Sequence, residues 1–310
     1  MELETSTNSS RPILIIILTL IATFIGLQLV GPLIGFFVAM PFYPGTLEEM
    51  ATAFTTNPTQ NPDLKVPFYI MQAFGGVIGF ILIPAYILKR FGQSLWELLD
   101  DELLPIPAVL TMVLVLSFMG VSAFAVEWNQ KMVFPEFLAG WEEWAKRMEE
   151  QLAEMTTFLT TFDTPAQFIL GFIIIAVIPG VGEEIVFRGI VQRQLHISTK
   201  NIHVAIWLSA AIFSAIHLQF YGFIPRMLLG ALFGYLYYWS GSLWIPIVAH
   251  FTNNAITVTV LFLNQEGIVS KDITNIESVP MSTTIVSAVI TVILVYLFKT
   301  FYRKRVSQQL

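Results

Sequence analysis

The chain has 310 residues, of which 55% are hydrophobic and 12% charged, with no cysteine and a formal net charge of −6. Soluble domains carry about 25% charged residues, so the composition excludes an ordinary soluble domain and specifies a polytopic membrane protein. The lack of cysteine excludes disulfides, thiolate metal sites and a cysteine nucleophile; the lack of a basic stripe with interleaved aromatics argues against nucleic acid as a partner.

A transmembrane helix needs about 20 mainly apolar residues. Eight segments meet or approach this: 12–40, 66–88, 104–126, 165–190, 203–220, 224–240, 242–263 and 279–302. The prediction is an all-α bundle of about eight transmembrane helices in a lipid bilayer. The first run is too long for the apolar core of a cleaved signal peptide and is expected to remain as the first span. Loops 41–65 and 127–164 are the polar ones. Within the second, Glu142–Glu154 is a charged helical stretch, read as an interfacial helix, with substrate gating as the alternative. Gly230 and Gly234, one turn apart in the sixth segment, are expected to let a neighbouring helix approach closely. The chain divides into N-terminal helices and polar loops (1–160), a core (161–265) and a C-terminal helix with a basic tail (266–310). With an even number of spans the two termini share a side. That side carries ten loop Lys and Arg, including Arg11, Lys200, Lys304 and Arg305, against six opposite, including Lys271. The positive-inside rule then makes the termini cytoplasmic.

The polar residues inside the apolar segments carry the chemistry. Each ionisable group at membrane depth costs roughly 2.5–3.5 kcal/mol on insertion scales. The fourth segment holds Glu183, Glu184 and Arg188. Residues four apart share a helix face, so Glu184 and Arg188 are expected to pair as a structural strut. Glu183, about 100° around the helix, is left for proton transfer. The plain alternative is an interhelical polar clamp. The fifth segment holds Phe213 and His217, again four apart, with the aromatic beside the imidazole. The seventh holds His250 with Asn253 and Asn254 at three and four residues beyond. An imidazole and an amide one turn apart can supply two donors to an oxyanion, and spacing leaves either asparagine open. No GxSxG surrounds Ser209, Ser214 or Ser240, and no HExxH occurs, so serine-hydrolase and helical zinc-protease motifs are absent. A water activated by glutamate, with or without a metal, is the remaining route to attack on a carbonyl.

For Glu183 to meet His217, the fourth helix must continue past Arg188 towards Leu195. Pro179, Gly180 and Gly182 are then expected to break or kink it, and a water-filled cavity is expected along Pro179–Arg188.

The order EExxxR (Glu183 to Arg188), FxxxH (Phe213 to His217) and HxxxN (His250 to Asn254) resembles the CPBP family of intramembrane proteases, the Rce1-like and Abi group that includes CaaX prenyl endopeptidases. The resemblance covers about residues 165–260 and identifies 161–265 as the catalytic core. It implies that Glu183 activates the hydrolytic water with help from His217. It further implies that His250 and Asn254 stabilise the oxyanion, while Glu184, Arg188 and Phe213 support the site. The implied substrate is a CaaX-type or other membrane-associated peptide. Glu183, His217 and His250 could also furnish the three protein ligands of a catalytic zinc, so a metal stays open. The alternatives are a non-catalytic scaffold or regulator of the same fold and, with no internal repeat to support it, a proton-coupled transporter.

Overall fold

The computed structural model describes residues 11–270 and 280–309, with side chains to Arg303. Lys271, and the side chains of Lys304 and Arg305 in the basic tail, lie outside the described residues. Among the described residues there is no strand, and the helices are α1 (Pro12–Phe42), α2 (Leu47–Thr56), α3 (Pro62–Arg90), α4 (Leu95–Leu99), α5 (Pro105–Gln130), α6 (Ala139–Thr160), α7 (Pro165–Thr199), α8 (Ile202–Ala215), α9 (Phe223–Ser240), α10 (Trp244–Gln265) and α11 (Met281–Gln309). The all-helical membrane architecture is as expected. Six helices are long and apolar enough to cross a membrane: α1, α3, α5, α7, α10 and α11 up to Arg303. The other two of the eight expected spans fall on α8, apolar but only 14 residues long, and on α9, with 18 residues.

Local chemistry sets the helix ends. Proline opens several spans, where its missing N–H costs nothing. Side-chain caps begin others: Thr46 and Glu49 form a reciprocal capping box on α2, Thr164 caps α7, and the Asn201 side chain accepts from both His203 and Val204 at the start of α8. Gly241, at φ +73°, ends α9 in the left-handed conformation that glycine adopts without strain.

Inside the spans, π-helical turns occupy Gly26–Val30, Val77–Leu82, Ile173–Val177 and Ile185–Gln192. The first three each contain the residue four before a proline, namely Gln28 before Pro32, Phe80 before Pro84 and Ile175 before Pro179; the fourth has no such proline. A proline cannot donate to that carbonyl and its ring would strike it, and a widened turn relieves the clash. The break expected at Pro179 is therefore absorbed, and α7 runs on to Thr199. Gly180 and Gly182 are not breakers either. They are close-approach points, since a Cβ on Gly180 would meet the Phe251 backbone of α10 at 3.1 Å and one on Gly182 would collide with Phe80 of α3. α1 and α3 are in contact through Gly31 and Gly75 in the same way.

α7 ends up at the centre, against α10, α3, α8 and α9. The interfacial stretch forms α6, with i,i+4 pairs Glu142–Lys146 at 2.7 Å and Glu143–Arg147 at 3.5 Å on its surface. Its end packs Phe158 and Leu159 against Tyr69 of α3, whose hydroxyl donates to the Leu159 carbonyl at 2.6 Å.

Candidate active site

Glu183 and Glu184 sit midway along α7. Glu184 is fully buried, and its Oε1 accepts from Arg188 Nη1 at 2.9 Å and from His250 Nδ1 at 2.8 Å. The strut expected from i,i+4 spacing is present. Its second partner, His250, arrives from α10, which crosses α7 closely at Gly180. The other ring nitrogen, Nε2 of His250, lies 3.8 Å from Glu183 Oε2. That is beyond hydrogen-bond range, though near enough to tighten around a substrate. His250 is thus an imidazole between two carboxylates.

Arg188 is held from several sides. Nη2 donates to the Gly230 carbonyl of α9 at 2.6 Å, and the guanidinium lies over the rings of Phe213 (5.3 Å) and Phe233 (5.5 Å). One turn on, Gln192 Nε2 donates to the Gly234 carbonyl at 3.1 Å. The close approach expected at Gly230 and Gly234 is to α8, where a Cβ on Gly230 would meet Ala210 and Phe213 at 3.3 Å and one on Gly234 would meet Ile206 at 2.9 Å, and Gly234 also leaves room for the Gln192 side chain.

Phe213 is the common wall. Its ring centroid lies 5.0 Å from that of His217, 6.0 Å from His250 and 5.1 Å from Phe187. His217 itself is beyond the helix. α8 stops at Ala215, and the chain turns through Leu218 at φ +56°. Nδ1 of His217 bonds the Phe213 carbonyl at 2.7 Å, leaving Nε2 as the free ring nitrogen. Sequence reasoning missed what holds this turn. Asn129 of α5, fully buried, donates to the Phe220 carbonyl at 3.2 Å and accepts from Ile224 N–H at 2.9 Å. Ser214 Oγ donates to the Phe223 carbonyl at 2.7 Å. Asn129 falls in the stretch read as polar loop, beside Glu127 and Gln130, so the sequence carried no signal for it.

Asn254 is placed by a defect elsewhere. Pro179 has no N–H to give the carbonyl of Ile175, and Asn254 Nδ2 donates to that carbonyl at 3.1 Å. Asn253 Nδ2 donates in turn to Asn254 Oδ1 at 3.1 Å, which fixes the amide's orientation. One Nδ2 hydrogen of Asn254 is thus committed to Ile175 and the other is available.

Among the described residues, neither His217 nor Asn254 is within hydrogen-bonding distance of Glu183. No group of three His, Asp or Glu is gathered to hold a metal ion either. Nδ1 of each imidazole is engaged with the protein, which leaves each Nε2 open to a ligand, but Glu183, His217 and His250 as they stand are not gathered into a three-ligand site. Along Pro179–Arg188, Pro179, Val181 and Glu183 are partly exposed, while Glu184 to Arg188 are buried. A cavity of about 270 Å³ lies between α6 and the turn bearing His217, walled by Trp141, Trp144, Leu218, Gln219, Phe220 and Phe223 among others.

Fold and site together define a multi-pass helical membrane protein with a carboxylate–imidazole centre at mid-span. Residues 165–256, the segment that builds this centre, match the family of type II CAAX prenyl endopeptidases described as Rce1-like. That match covers less than a third of the chain. It is also 32% identical over 78 residues to the Bacillus subtilis (strain 168) protein named uncharacterized protein YpbD, a match covering 24% of this chain and 36% of that one. The chain thus spans about a third of that relative's length. No solved structure matches the chain significantly.

Proposed function

We propose that the protein is an intramembrane endopeptidase that hydrolyses a peptide bond with a water activated by Glu183. The observation that carries this reading is the His250 imidazole between Glu184 at 2.8 Å and Glu183 at 3.8 Å. Glu184 is tied up by Arg188 and serves as a fixed anionic anchor, so it orients the ring rather than exchanging protons. Glu183 has no such partner within hydrogen-bond range and is free to act as base.

The steps follow from the placement. A water beside Glu183 and the free Nε2 of His217 gives a proton to the Glu183 carboxylate as its oxygen attacks the carbonyl carbon. The carbonyl π electrons move to oxygen. That oxyanion accepts from the second Nδ2 hydrogen of Asn254, and from His250 when its Nε2 carries a hydrogen. Collapse breaks the C–N bond, and Glu183 returns the proton to the leaving amine. Glu184, Arg188 and Phe213 keep the parts in register. No step is routed through a metal.

The family suggests CaaX-type peptides, and other membrane-associated peptides fit the same chemistry. Both termini are assigned to the cytoplasm from the Lys and Arg balance; six spans or eight leave them on one side. The test is cleavage of a peptide library, farnesylated C-terminal peptides included, by purified wild type and Glu183→Ala, with and without chelator. Cleavage lost only in the variant supports this reading. Cleavage retained by Glu183→Ala ends it. Chelator sensitivity would bring a metal back in, and no cleavage by folded wild type would favour a scaffold.

A further inference from the structure

Arg226, near the start of α9, belongs to no motif of the site. Its position follows from the register of α9 on α7. Arg188 bonds the carbonyl of Gly230 and Gln192 that of Gly234, both pairs 42 residues apart. Arg226 precedes Gly230 by one turn on the same face, so the same register sets it level with Glu184. Glu184 Oε1 is already taken by Arg188 and His250, while its Oε2 is buried with no hydrogen-bond partner among the described residues. The Arg226 guanidinium turns instead to the loop bearing His217, where Nη2 donates to Gln219 Oε1 at 2.5 Å and packs on Gly222. Nη1 is buried and has no hydrogen-bond partner. The charge acts on Glu183 and His217 of the site and on Glu149 of α6. Gln219, its one partner by hydrogen bond, also forms part of the wall of the 270 Å³ cavity beside His217.

We propose that Arg226 recognises a carboxylate of the peptide substrate, holding it through Nη1 beside Glu183. The inference rests on the endopeptidase reading and adds a substrate class to it. An anionic peptide approaching two carboxylates is repelled unless a cation offsets them. Arg188 cannot serve, because it is enclosed by two phenyl rings and bonded to Glu184 and Gly230. Arg226 is at the right level with a buried N–H to offer, and guanidinium matches carboxylate in charge and geometry. The apolar cavity next to it would receive the neighbouring apolar part of the peptide. The carboxylate could be the peptide's C-terminus or an Asp or Glu side chain near the scissile bond.

The experiment compares three versions of one cleaved peptide: free C-terminal acid, C-terminal amide, and amide with an acidic residue beside the scissile bond. Purified full-length wild type, Arg226→Gln and Arg226→Lys are used. The readout is the ratio of kcat/KM for each acidic version to that for the plain amide, which cancels any difference in folded fraction. Wild type is expected to prefer one acidic version by about tenfold or more, and which one identifies the source. Arg226→Gln should bring that ratio to near one, and Arg226→Lys should restore part of it. A ratio near one in wild type, or an equal preference in wild type and Arg226→Gln, overturns the proposal. If wild type cleaves no peptide, the endopeptidase reading fails separately. The same three peptides are then titrated by tryptophan fluorescence, with Trp141 and Trp144 close by. Tighter binding of an acidic version that is lost in Arg226→Gln supports carboxylate recognition, and equal binding refutes it.

Discussion

α7 and α11 are about equally apolar, and either would pass as a membrane span. Their surroundings differ: 44% of the most apolar stretch of α7 is enclosed by protein, against 17% of that of α11. α11 turns Ile285, Val289, Val292 and Ile293 outward and meets α5 through small hydroxyls, with Thr291 and Ser117 Oγ atoms 3.1 Å apart. α7 carries a buried arginine, two glutamates and two buried glutamines, of which Glu184, Arg188 and Gln192 are bonded to a neighbouring helix. Hydropathy decides that a helix enters the bilayer. The polar groups it carries decide whether it faces lipid or protein, because an unpaired polar group in hydrocarbon costs several kcal/mol.

That contrast can be broken or sharpened by mutation. The largest effect is expected at Glu183. Glu183→Gln should lower kcat by roughly 10²–10⁴-fold with little change in thermal stability, because the side chain is at the edge of the network. A variant that is inactive because it is unfolded, seen by melting in detergent, would refute the division of roles between the two glutamates. Next is Arg188→Met, which leaves Glu184 buried without its cation. Removing one partner of a buried pair costs about 3–5 kcal/mol, and the loss should appear in equilibrium unfolding. The matching change on α11, Ile293→Ala, should cost under about 1 kcal/mol, since its side chain is 52% exposed. Similar losses at both positions would mean that α7 and α11 do not differ as described.

Asn254→Ala comes third. It orphans the carbonyl of Ile175, at a cost of about 1–3 kcal/mol. Pro179→Ala supplies a backbone N–H, so the double variant should lose less than Asn254→Ala alone does. Additive losses in that cycle would show that Asn254 is not serving the proline defect. The smallest effect lies outside the spans. Burial pushes the Glu149 carboxyl on α6 up, with the Tyr221 N–H and Arg226 acting against it. A carboxyl with a raised folded-state value stabilises the fold below its ordinary range and loses that contribution as pH rises through the raised value. Glu149→Gln keeps an acceptor for Tyr221 and should gain less than about 1 kcal/mol near neutral pH. The gain should vanish below about pH 4, as thermal melts across pH would show.

Much of this was legible beforehand because it is local. The Glu184–Arg188 strut, the ring of Phe213 against His217 and the close approach at Gly230 and Gly234 each follow from residues one turn apart. The composition excluded a soluble protein, and the apolar runs located the helices to within a few residues. What the carboxylates would meet was not legible. His250 reaches Glu184 only because Gly180 lets α10 lie close to α7, and that requires knowing which helices are neighbours. Pro179 reads as a break or kink; α7 is unbroken there, with a widened turn at Ile173–Val177 and the amide of Asn254 on the Ile175 carbonyl. His217 sits on a turn rather than a helix because Asn129, nearly ninety residues earlier, holds the loop.

The sequence by itself determined that the chain is a helical membrane protein, where its helices lie, and which acids, bases and amides enter the bilayer, since these depend on transfer free energy and on spacing along one helix. Only the tertiary structure decided that His250 bonds Glu184 and lies beside Glu183, that Asn254 answers Pro179 and that Arg226 stands level with the glutamates. Those are pairings between helices, set by which backbones approach closely enough for a polar group to find its partner.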